Sequence, residues 1–359
     1  MKRGVQNSLQ NTVERHRRLR GWTQAELAGR ARTSRAEVSA IETGRHVPST
    51  EVALALAQAL ECRFDDLFQL AGPEAGPVWA WAPRPPPCRF RHATVARRTV
   101  LYPVEESHLG ASVHDGVLGE KGVELRRDAV PPDRTLVVAG CDPALRFLSP
   151  ELERTHGFRL LLLTRSSREA LDLLGKRLVH VAGVHLADPG RRGGNARVVR
   201  EVLGPGYRLL RHARWQEGVA LGPGLEIASV RSALRSKLRW IAREEGSGAR
   251  SCLDGLLEEA GARKIPLRYT ATSHIAVIEA IRSGWAEAGI CPRLFAHEAG
   301  LRFLEVRRED YDLSYPAELE GDPRLLAFVK AVQSRSHRDL IGELEGYDAA
   351  STGELENVS

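Results

Sequence analysis

The sequence contains no long hydrophobic run, and its basic N-terminus is not followed by an apolar segment. The longest apolar stretches, such as residues 160–163, fall far short of the ~20 residues that a membrane-spanning helix needs. A signal peptide would need an apolar core directly after the basic residues. We therefore expect a soluble protein of the cytoplasm that has no membrane partner.

Cysteine is sparse, and its spacing forms no recognisable framework. The five cysteines are Cys62, Cys88, Cys141, Cys252 and Cys291. They include no CxxC pair and lack the histidine spacing that accompanies structural zinc sites. Scattered cysteines in odd number are typical of a reducing compartment. The sequence predicts neither a metal site nor a cofactor.

Common catalytic signatures are also missing. The chain has no GxxxxGK[ST] phosphate loop, no GxSxG turn and no HExxH metal motif. Cys141 follows a predicted strand and histidines occur elsewhere in the chain, so a thiol nucleophile stays open as an alternative. We otherwise expect a protein that is not an enzyme.

What the sequence does have is a concentrated positive charge. Residues 1–50 carry ten Lys or Arg and four Glu, an excess equal to the net charge of +6 of the whole 359-residue chain. A local basic excess suits contact with phosphates, although a solvated basic face has the same composition. The length predicts two or three domains, and 42% apolar residues are ample for their cores.

Residues 23–44 have the pattern of two short helices joined by a tight turn. Thr23 and Ser34 are each followed three residues later by a glutamate, which is the spacing of capped helix starts. The residues expected to face inward and pack the two helices together are Leu27, Ala28, Val38 and Ile41.

Helices are also predicted on both sides of this pair. Leu9, Val13 and Arg17 would share one face of a first helix, and Ser49 begins a fourth helix rich in Ala and Leu. A short closing helix is expected near residues 64–68. The region 9–70 is therefore predicted to be all-α.

Several positions in this region match a known family at fixed spacing. They are Arg17, Gly21-Trp22-Thr23-Gln24, Glu26-Leu27-Ala28, Ser34, Ile41-Glu42-Thr43-Gly44 and Pro48. On these residues the region resembles the XRE/Cro-type helix-turn-helix domain. The resemblance implies binding to double-stranded DNA as a homodimer, with the second helix of the motif in the major groove. It also implies a buried ion pair between Arg17 and Glu42.

The candidate DNA-binding residues, which include Ser34 at the start of the second helix, divide by chemistry. Arg35 can bond bidentately to guanine, and Glu37 can either accept from cytosine N4 or serve only as the partner of the Ser34 cap. Ala36 and Ala40 can touch a thymine methyl group or simply permit close approach. The resemblance implies phosphate contacts, which set register without reading sequence, from Thr23, Gln24, Ser39 and Arg45.

A change of composition follows this region. Residues 71–88 are rich in Pro and Gly, and we expect a semi-rigid linker over residues 71–94. Trp79 and Trp81 within it are expected to pack against neighbours rather than to form a ligand cage. Residues 95–130 contain short β-rich runs and are predicted to form a connector.

Strand-like and helix-like segments alternate in the rest of the chain. Runs such as TLVVAG at 135–140 and RLLLLT at 159–164 are typical of buried strands. This alternation favours a mixed, mostly parallel α/β sheet. Crossings between two lobes are expected near residues 214–221 and 301–311, and residues 349–359 are predicted to be a flexible tail.

Four runs here match a second family: AGCDPAL at 139–145, VHVAGVHL at 179–186, REEGSGAR at 243–250 and TSHIAVIEAIRSGWAEAGI at 272–290. On them, residues 131–348 resemble the periplasmic-binding-protein-like (PBP-like) domains of type II, which include molybdate-binding proteins. The resemblance implies a two-lobed domain that binds a small polar or anionic solute, with an oxyanion such as molybdate among the candidates. Ala242 and Ala249 depart from the family pattern, which usually has polar residues at these positions. The resemblance therefore does not identify the ligand.

One group of candidate ligand-binding residues surrounds the GSG run. Gly246, Ser247 and Gly248 are expected to present backbone N–H groups at a helix N-terminus, where an anion is favoured. Arg250 either adds a positive charge there or pairs with a glutamate, Glu244 or Glu258.

The other candidates also lie at strand ends and helix starts. Ser273 and His274 begin a helix, with Ser273 favoured as its N-cap. In the other lobe, Asp142 is expected to cap a helix rather than to contact a ligand. His185 ends a predicted strand, where ligands of a sheet tend to bind, although a single histidine more often has a structural role. Further candidates are Cys141, Ser166 and Ser167.

Together these patterns predict a multidomain protein with an all-α helix-turn-helix head and a two-lobed α/β PBP-like domain. The predicted function is a one-component transcription regulator whose C-terminal domain binds a small solute and modulates operator binding. The alternative is a DNA-binding protein whose α/β domain is an enzyme or serves only dimerisation. Turnover of a solute would distinguish the enzyme from the sensor.

Overall fold

The computed structural model of the chain describes residues 9–62, 64–70, 77–105, 112–187, 194–261, 267 and 269–358. The chain divides into two compact units, Met1–Gly76 and Pro77–Ser359. The predicted fold class is confirmed, since the first unit is mainly helical and the second holds a two-lobed α/β sheet. Within the described ranges, none of the helices has the length and apolar character needed to cross a bilayer.

The N-terminal unit is a small helical bundle. Its elements are β1 (Leu9–Asn11), α1 (Val13–Leu19), α2 (Gln24–Arg30), α3 (Arg35–Glu42), α4 (Thr50–Ala59), α5 (Phe64–Leu67) and β2 (Phe68–Leu70). Thr23, Ser34 and Ser49 cap three of the helices, because each side chain accepts a hydrogen bond from the N–H three residues later. The core contains all four residues predicted to face inward, Leu27, Ala28, Val38 and Ile41.

The first helix is shorter than the sequence pattern predicts. Leu9 lies in β1, which pairs antiparallel with β2, and α1 begins only at Val13. The Thr12 N–H donates to the Leu67 carbonyl at 2.9 Å, next to this pairing. Pairing with a distant segment therefore overrides the helical spacing of these residues.

A five-stranded sheet opens the second unit. Its strands are β3 (Val78–Trp79), β4 (Cys88–Val95), β5 (Arg98–Pro103), β6 (Gly116–Gly119) and β7 (Gly122–Leu125), in the order β3-β5-β4-β6-β7. The predicted linker is thus wrong from residue 77 onward, while its residues 71–76 lie outside the described ranges. Trp79 meets the edge of Phe90 at 5.6 Å and Trp81 that of Tyr102 at 6.0 Å, so both tryptophans pack as predicted.

The α/β body is built on one ten-stranded sheet. The strands are β8 (Thr135–Gly140), β9 (Arg159–Thr164), β10 (Val181–Val184), β11 (Tyr207–Leu221), β12 (Trp240–Arg243), β13 (Tyr269–Ala271), β14 (Ala288–Pro292), β15 (Arg302–Pro316), β16 (Tyr347–Asp348) and β17 (Leu355–Val358). The helices are α6 (Leu148–Glu151), α7 (Ser167–Gly175), α8 (Gly194–Leu203), α9 (Val230–Arg235), α10 (Gly248–Glu259), α11 (His274–Arg282), α12 (Arg293–Glu298), α13 (Pro323–Val332) and α14 (Arg335–Gly342). Short 3-10 turns cover Pro132–Arg134, Pro143–Phe147 and Ala317–Leu319, and a π turn covers Leu152–His156.

The order of these strands defines two lobes. It runs β13-β12-β14-β11-β15-β10-β8-β9, with β16 and β17 paired to β11. Strands β8–β10 pair in parallel and form the first lobe with α7, while β12–β14 pair in parallel and form the second lobe with α10 and α11. The long antiparallel strands β11 and β15 join the two lobes. They are the two crossings that the sequence predicts.

The C-terminal residues correct the prediction of a flexible tail. Strand β17 pairs antiparallel with the start of β11, and Val358 is buried in the core of the first lobe. The Thr352 hydroxyl donates to the His212 carbonyl at 2.7 Å. A short, mostly polar segment is difficult to identify as a strand from sequence, because its partner supplies the backbone hydrogen bonds that hold it.

A buried histidine gives the fold a predicted sensitivity to acid. His180 accepts the Val137 N–H at Nδ1 and donates Nε2–H to the Thr94 carbonyl, and burial lowers its pKa from 6.5 to about 4. Between these values the unfolded chain takes up the proton and the folded chain does not. The free energy of unfolding should therefore fall by about 1.4 kcal/mol per pH unit as the pH drops from 6.5 to 4.

Urea unfolding at several pH values measures this slope. His180→Gln should be less stable at neutral pH and should lose stability less steeply on acidification. The exposed His297 offers a matched control, because His297→Gln should keep the slope of the unchanged protein. An equally steep loss in His180→Gln would contradict the assignment.

Candidate functional site

The outward face of α3 is the candidate DNA-binding surface. Arg35 and Ala36 are exposed at its start, and Ser39 and Ala40 are half-buried one turn later. Val38 and Ile41 point the opposite way into the core. The helix therefore presents one guanidinium group and small side chains, a combination that lets a helix approach base edges closely.

Glu37 is occupied by local contacts. Its N–H donates to Ser34 Oγ, its carboxylate accepts from the Thr33 hydroxyl, and its Oε1 lies 3.7 Å from His46 Nε2. The backbone of Glu37 thus completes the Ser34 cap, while its carboxylate bonds Thr33. Contact with cytosine stays a prediction.

The residues expected to bind phosphates differ in whether their polar groups are already hydrogen-bonded within the protein. The Thr23 hydroxyl belongs to a capping box with Glu26, so it is already bonded in the protein. Gln24 Nε2 donates to Glu42 Oε2 at 2.9 Å. Arg45 is exposed, and its Nε donates to the Thr43 hydroxyl. Arg45 is the candidate whose charge is best placed for a phosphate.

A buried ion pair holds this surface together, as the family resemblance implies. Arg17 Nε and Nη2 donate to the two carboxylate oxygens of Glu42 at 2.7 and 2.9 Å, and Nη1 donates to the Trp22 carbonyl at 2.7 Å. Although burial opposes it, these bonds with Arg17 and Gln24 hold the pKa of Glu42 below its usual value. The pair ties α1 to the C-terminal end of α3.

The second candidate site is a cavity of about 70 Å³ at the ends of strands in the α/β body. Its lining includes residues that follow β8 and residues that begin α11: Gly140, Cys141, Asp142, Ser273, His274 and Ile275. Strand ends of the first lobe and a helix start of the second lobe therefore meet there. Four sequence-predicted site residues line it: Cys141, Asp142, Ser273 and His274.

His185 links Cys141 to a buried carboxylate. Its Nε2 lies 3.3 Å from Cys141 Sγ, and its Nδ1 lies 3.0 Å from Glu309 Oε2 on β15. The ring is held between Trp215 and Tyr311. Burial opposes a charge on this imidazole, but Cys141 and Glu309 outweigh it and raise its pKa well above the usual value. Both ring nitrogens of His185 are therefore engaged, Nε2 beside a thiol and Nδ1 beside a carboxylate.

The two lobes touch at Gly248. A Cβ built on Gly248 would lie 2.5 Å from His185 Cε1 and 2.8 Å from the His185 carbonyl oxygen, so only glycine fits. Arg307, on the crossing strand β15, donates from Nη2 to the Gly248 carbonyl oxygen at a distance of 3.3 Å. The start of α10 is thus packed directly against the end of β10.

Among the residues that the structure describes, buried His274 at the start of α11 has no hydrogen-bond partner. Both ring nitrogens are inaccessible and unpaired, and the ring packs against Phe295 at 5.3 Å. Burial, together with the positive charges of Arg243 and His185, holds its pKa well below the usual value. His274 is therefore a neutral imidazole with a free lone pair beside the cavity.

A buried charge cluster behind His185 was missed by the sequence analysis. Arg307 Nη2 donates to Glu309 and, at 3.1 Å, to Glu217 Oε2. Burial and the neighbouring Glu309 raise the pKa of Glu217, while Glu309, although buried, is held ionised with a lowered pKa by His185 and Arg307. A signal existed, because Glu217 lies two residues after Trp215 and Glu309 two residues before Tyr311. Side chains two residues apart share one face of a strand, so both carboxylates lie on the face of the buried aromatic rings.

The Asp142 carboxylate is hydrogen-bonded to groups of the protein itself. Its carboxylate accepts from the Ala144 N–H, from Tyr347 Oη at 2.9 Å and from His212 Nδ1 at 2.8 Å. The predicted capping role is confirmed. Both oxygens are thus bonded within the protein, although the residue also lines the cavity.

The hydroxyls predicted in the first lobe are structural. Ser166 forms a capping box with Glu169, and Ser167 Oγ accepts the His185 N–H at 3.1 Å. Both serines are buried. Ser167 therefore acts by holding His185 in place.

The residues of the GSG run, Gly246, Ser247 and Gly248, do not line the cavity. Ser247 caps α10 as its Oγ accepts the Arg250 N–H, and Gly248 contacts His185. Gly246 and Arg250 instead line a separate, shallow depression with Arg168, and Arg250 pairs with Asp254 at 2.9 Å. The alternative in which Arg250 pairs with Glu244 or Glu258 is wrong in its partner, since Arg250 pairs with Asp254 one turn along the same helix.

Comparisons with known proteins agree with this division. A family model for the PBP superfamily domain matches residues 149–333, and one for the helix-turn-helix matches residues 13–67. The uncharacterized protein YvgK of Bacillus subtilis (strain 168) is 28% identical over 237 residues, which cover 64% of this chain and 76% of YvgK.

Two solved structures with low sequence identity are also similar. The tungstate ABC transporter from Geobacter sulfurreducens has 15% identity and a TM-score of 0.46, covering 58% of this chain and 98% of that one. The reduced form of OxyR from N. meningitidis has 15% identity and a TM-score of 0.42, and the match covers 60% of this chain and 98% of that one.

Proposed function

This chain belongs to the PBP superfamily, and we propose that it is a transcription regulator in which a solute bound between the two lobes changes the affinity of an XRE-type helix-turn-helix for its operator. The observation that carries the proposal is the cavity at which Cys141 of the first lobe and His274 of the second lobe meet, in a chain that also has a DNA-binding head. A solute there contacts both lobes, so its binding energy favours the closed arrangement.

The chemistry of the cavity favours a small polar or anionic solute. The N–H groups of His274 and Ile275 begin α11 and have no acceptor inside the helix, so they are available to an anion. The Asp142 carboxylate is hydrogen-bonded within the protein, and the Cys141 thiol lies beside His185 Nε2. Molybdate and inorganic phosphate are therefore the first probes, with amino acids and nucleosides as uncharged or zwitterionic comparisons.

A thermal-shift panel followed by DNA binding tests the proposal. At least one probe should raise the unfolding temperature of the full chain and remain chemically unchanged. The same probe should alter operator affinity by a coupling free energy of about 1–3 kcal/mol. If no probe shifts either quantity, the α/β unit serves another role, such as dimerisation.

An enzyme is the second candidate, because Cys141, His185 and Glu309 lie in the order of a thiol nucleophile, a base and an orienting acid. This interpretation leaves the unpaired His274 without a role. Hydrolysis of an activated ester that is lost in Cys141→Ser would favour it over solute sensing.

The proposed DNA interface predicts two different mutant phenotypes. Arg35→Ala should cost about 1–3 kcal/mol on a duplex selected from a random pool and relax the preference at one base pair. Arg45→Ala should weaken binding to all duplexes alike. It should also reduce the slope of log affinity against log salt concentration by about one, which corresponds to one released counterion. Fluorescence anisotropy with selected and scrambled duplexes measures both, and identical behaviour of the two variants would contradict the assignment.

We further propose that the regulator binds as a homodimer, since helix-turn-helix proteins of this kind usually occupy two half-sites about one helical turn apart. A selected site should then be an inverted repeat. Analytical ultracentrifugation of the chain with that duplex should give two chains per duplex.

A further inference from the structure

We propose that Cys141, His185 and His274 form a binding site for a zinc-type divalent metal ion between the two lobes. One potential ligand atom from each residue lies within 4.8 Å of the others. Around one tetrahedral zinc ion, sulfur and nitrogen ligands at about 2.3 and 2.1 Å lie roughly 3.5 Å from each other. Cys141 Sγ and His185 Nε2 are already 3.3 Å apart.

The unpaired His274 is the observation that points to a ligand. The residue is only 3% exposed, and in the described part of the chain neither ring nitrogen has a hydrogen-bond partner. A buried polar group without a partner is costly, and native structures contain few of them. A metal ion bonded to one ring nitrogen of His274 accounts for this unpaired group.

His185 is oriented in the way that metal-binding histidines usually are. Its Nδ1 faces the Glu309 carboxylate at 3.0 Å, and its backbone N–H donates to Ser167 Oγ. Nε2 is thereby directed at Cys141. A carboxylate that holds the second nitrogen fixes the ring and makes it a better ligand. Glu309 is thus a positioning residue in this proposal.

The ligand set and its surroundings favour zinc over harder cations. One thiolate with two imidazoles suits Zn²⁺ or Cu⁺, whereas Mg²⁺ and Ca²⁺ prefer oxygen ligands. The positive charge of Arg243 near His274 is offset by Glu244, whose carboxylate it bonds at 2.7 Å. The adjacent cavity leaves a fourth position open for water or an anionic solute.

The ligands come from both lobes, so the ion would join them. Cys141 and His185 follow strands β8 and β10 of the first lobe, and His274 begins α11 of the second lobe. The site lies in the cleft to which the proposed function assigns the solute, but metal binding itself is independent of DNA binding. The two proposals can therefore fail separately.

Metal binding can be measured on the full chain after removal of metal with EDTA. Titration with Zn²⁺ against a chromophoric chelator should give one high-affinity ion per chain. Co²⁺ should produce the near-ultraviolet charge-transfer band of a cobalt–thiolate bond. Cys141→Ser and His274→Gln should each weaken Zn²⁺ binding about 100-fold or more, and Glu309→Gln should weaken it about 10- to 100-fold.

Matched controls separate a lost ligand from a lost fold. Cys88→Ser and His297→Gln replace a cysteine and a histidine outside the site and should bind Zn²⁺ like the unchanged protein. In the unchanged protein, Zn²⁺ should also slow alkylation of Cys141 by iodoacetamide, a readout that needs no variant. Zinc binding that survives Cys141→Ser, or alkylation unaffected by Zn²⁺, would overturn the proposal; the latter would instead favour a reactive thiol. Solute-dependent DNA binding can be present or absent in either case.

Discussion

Arg17→Ala is expected to destabilise the helix-turn-helix unit by about 3–5 kcal/mol, because it leaves the carboxylate of Glu42 buried without its partner. The Glu42 side chain is only 2% exposed, and Arg17 supplies two of its hydrogen bonds. Hydrogen exchange of the full chain, followed by mass spectrometry, should report faster exchange in α1 and α3. Operator binding should weaken as the unit opens.

Arg18→Ala is the matched control one residue away. Arg18 pairs with Glu14 on the surface, with 73% of its own side chain exposed, and such pairs contribute about 1 kcal/mol or less. The hydrogen-exchange pattern of Arg18→Ala should therefore stay close to that of the unchanged protein. Replacing both members of the buried pair by apolar residues, Arg17→Met with Glu42→Leu, should recover much of the loss. Equal effects of Arg17→Ala and Arg18→Ala would contradict the structural role of the pair.

The second large effect is expected at the contact between the lobes. Gly248→Ala would place a methyl group 2.5 Å from the His185 ring and 2.8 Å from a backbone oxygen that cannot turn aside. The lobes must then separate locally, at a cost of about 3 kcal/mol by comparison with overpacked cores. Hydrogen exchange should rise around residues 181–187 and 244–252. Solute binding between the lobes should be lost as well.

Gly255→Ala, on the same helix, isolates this effect. A Cβ on Gly255 meets no described atom within 4 Å. Alanine favours a helix by up to about 1 kcal/mol relative to glycine. This variant should therefore be as stable as the unchanged chain or slightly more stable. Gly248 does not have a left-handed backbone, so its substitution tests the close approach to His185 alone. Unchanged exchange in Gly248→Ala would mean that the lobes do not rest on this contact.

Local signals in the sequence were sufficient for much of the fold. Both family resemblances and the two-lobed α/β architecture are confirmed, and Ser34, Ser273 and Asp142 cap as predicted. These features depend on residues close together in the chain, where spacing reflects hydrogen bonding directly. The same applies to the inward face of the helix-turn-helix.

Features that depend on distant pairing could not be predicted in this way. β17 is held by β11, and β1 by β2, although neither short segment has a strong strand pattern. The arrangement of Cys141, His185 and His274 is of the same kind, since three separate strand–helix junctions bring them together. Spacing rules for metal sites detect only ligands that are near in sequence.

The Glu217–Arg307–Glu309 cluster illustrates a different limit. Its members lie on strands that the sequence identifies, but their burial follows only from the pairing of β11 with β15. A charged residue on a strand usually faces solvent. Here the three groups compensate one another, so the charges that support His185 are stable inside the sheet.

The central claim is that occupancy of the cleft changes operator affinity, and one titration tests it directly. The full chain would be titrated into a selected, fluorescently labelled duplex with and without each probe, in parallel with Gly248→Ala. We expect at least one probe to shift the dissociation constant of the unchanged chain by about 5- to 150-fold and to leave that of Gly248→Ala unmoved. A dissociation constant that is the same with and without every probe, or no preference for the selected duplex over random DNA at physiological salt, would contradict the claim.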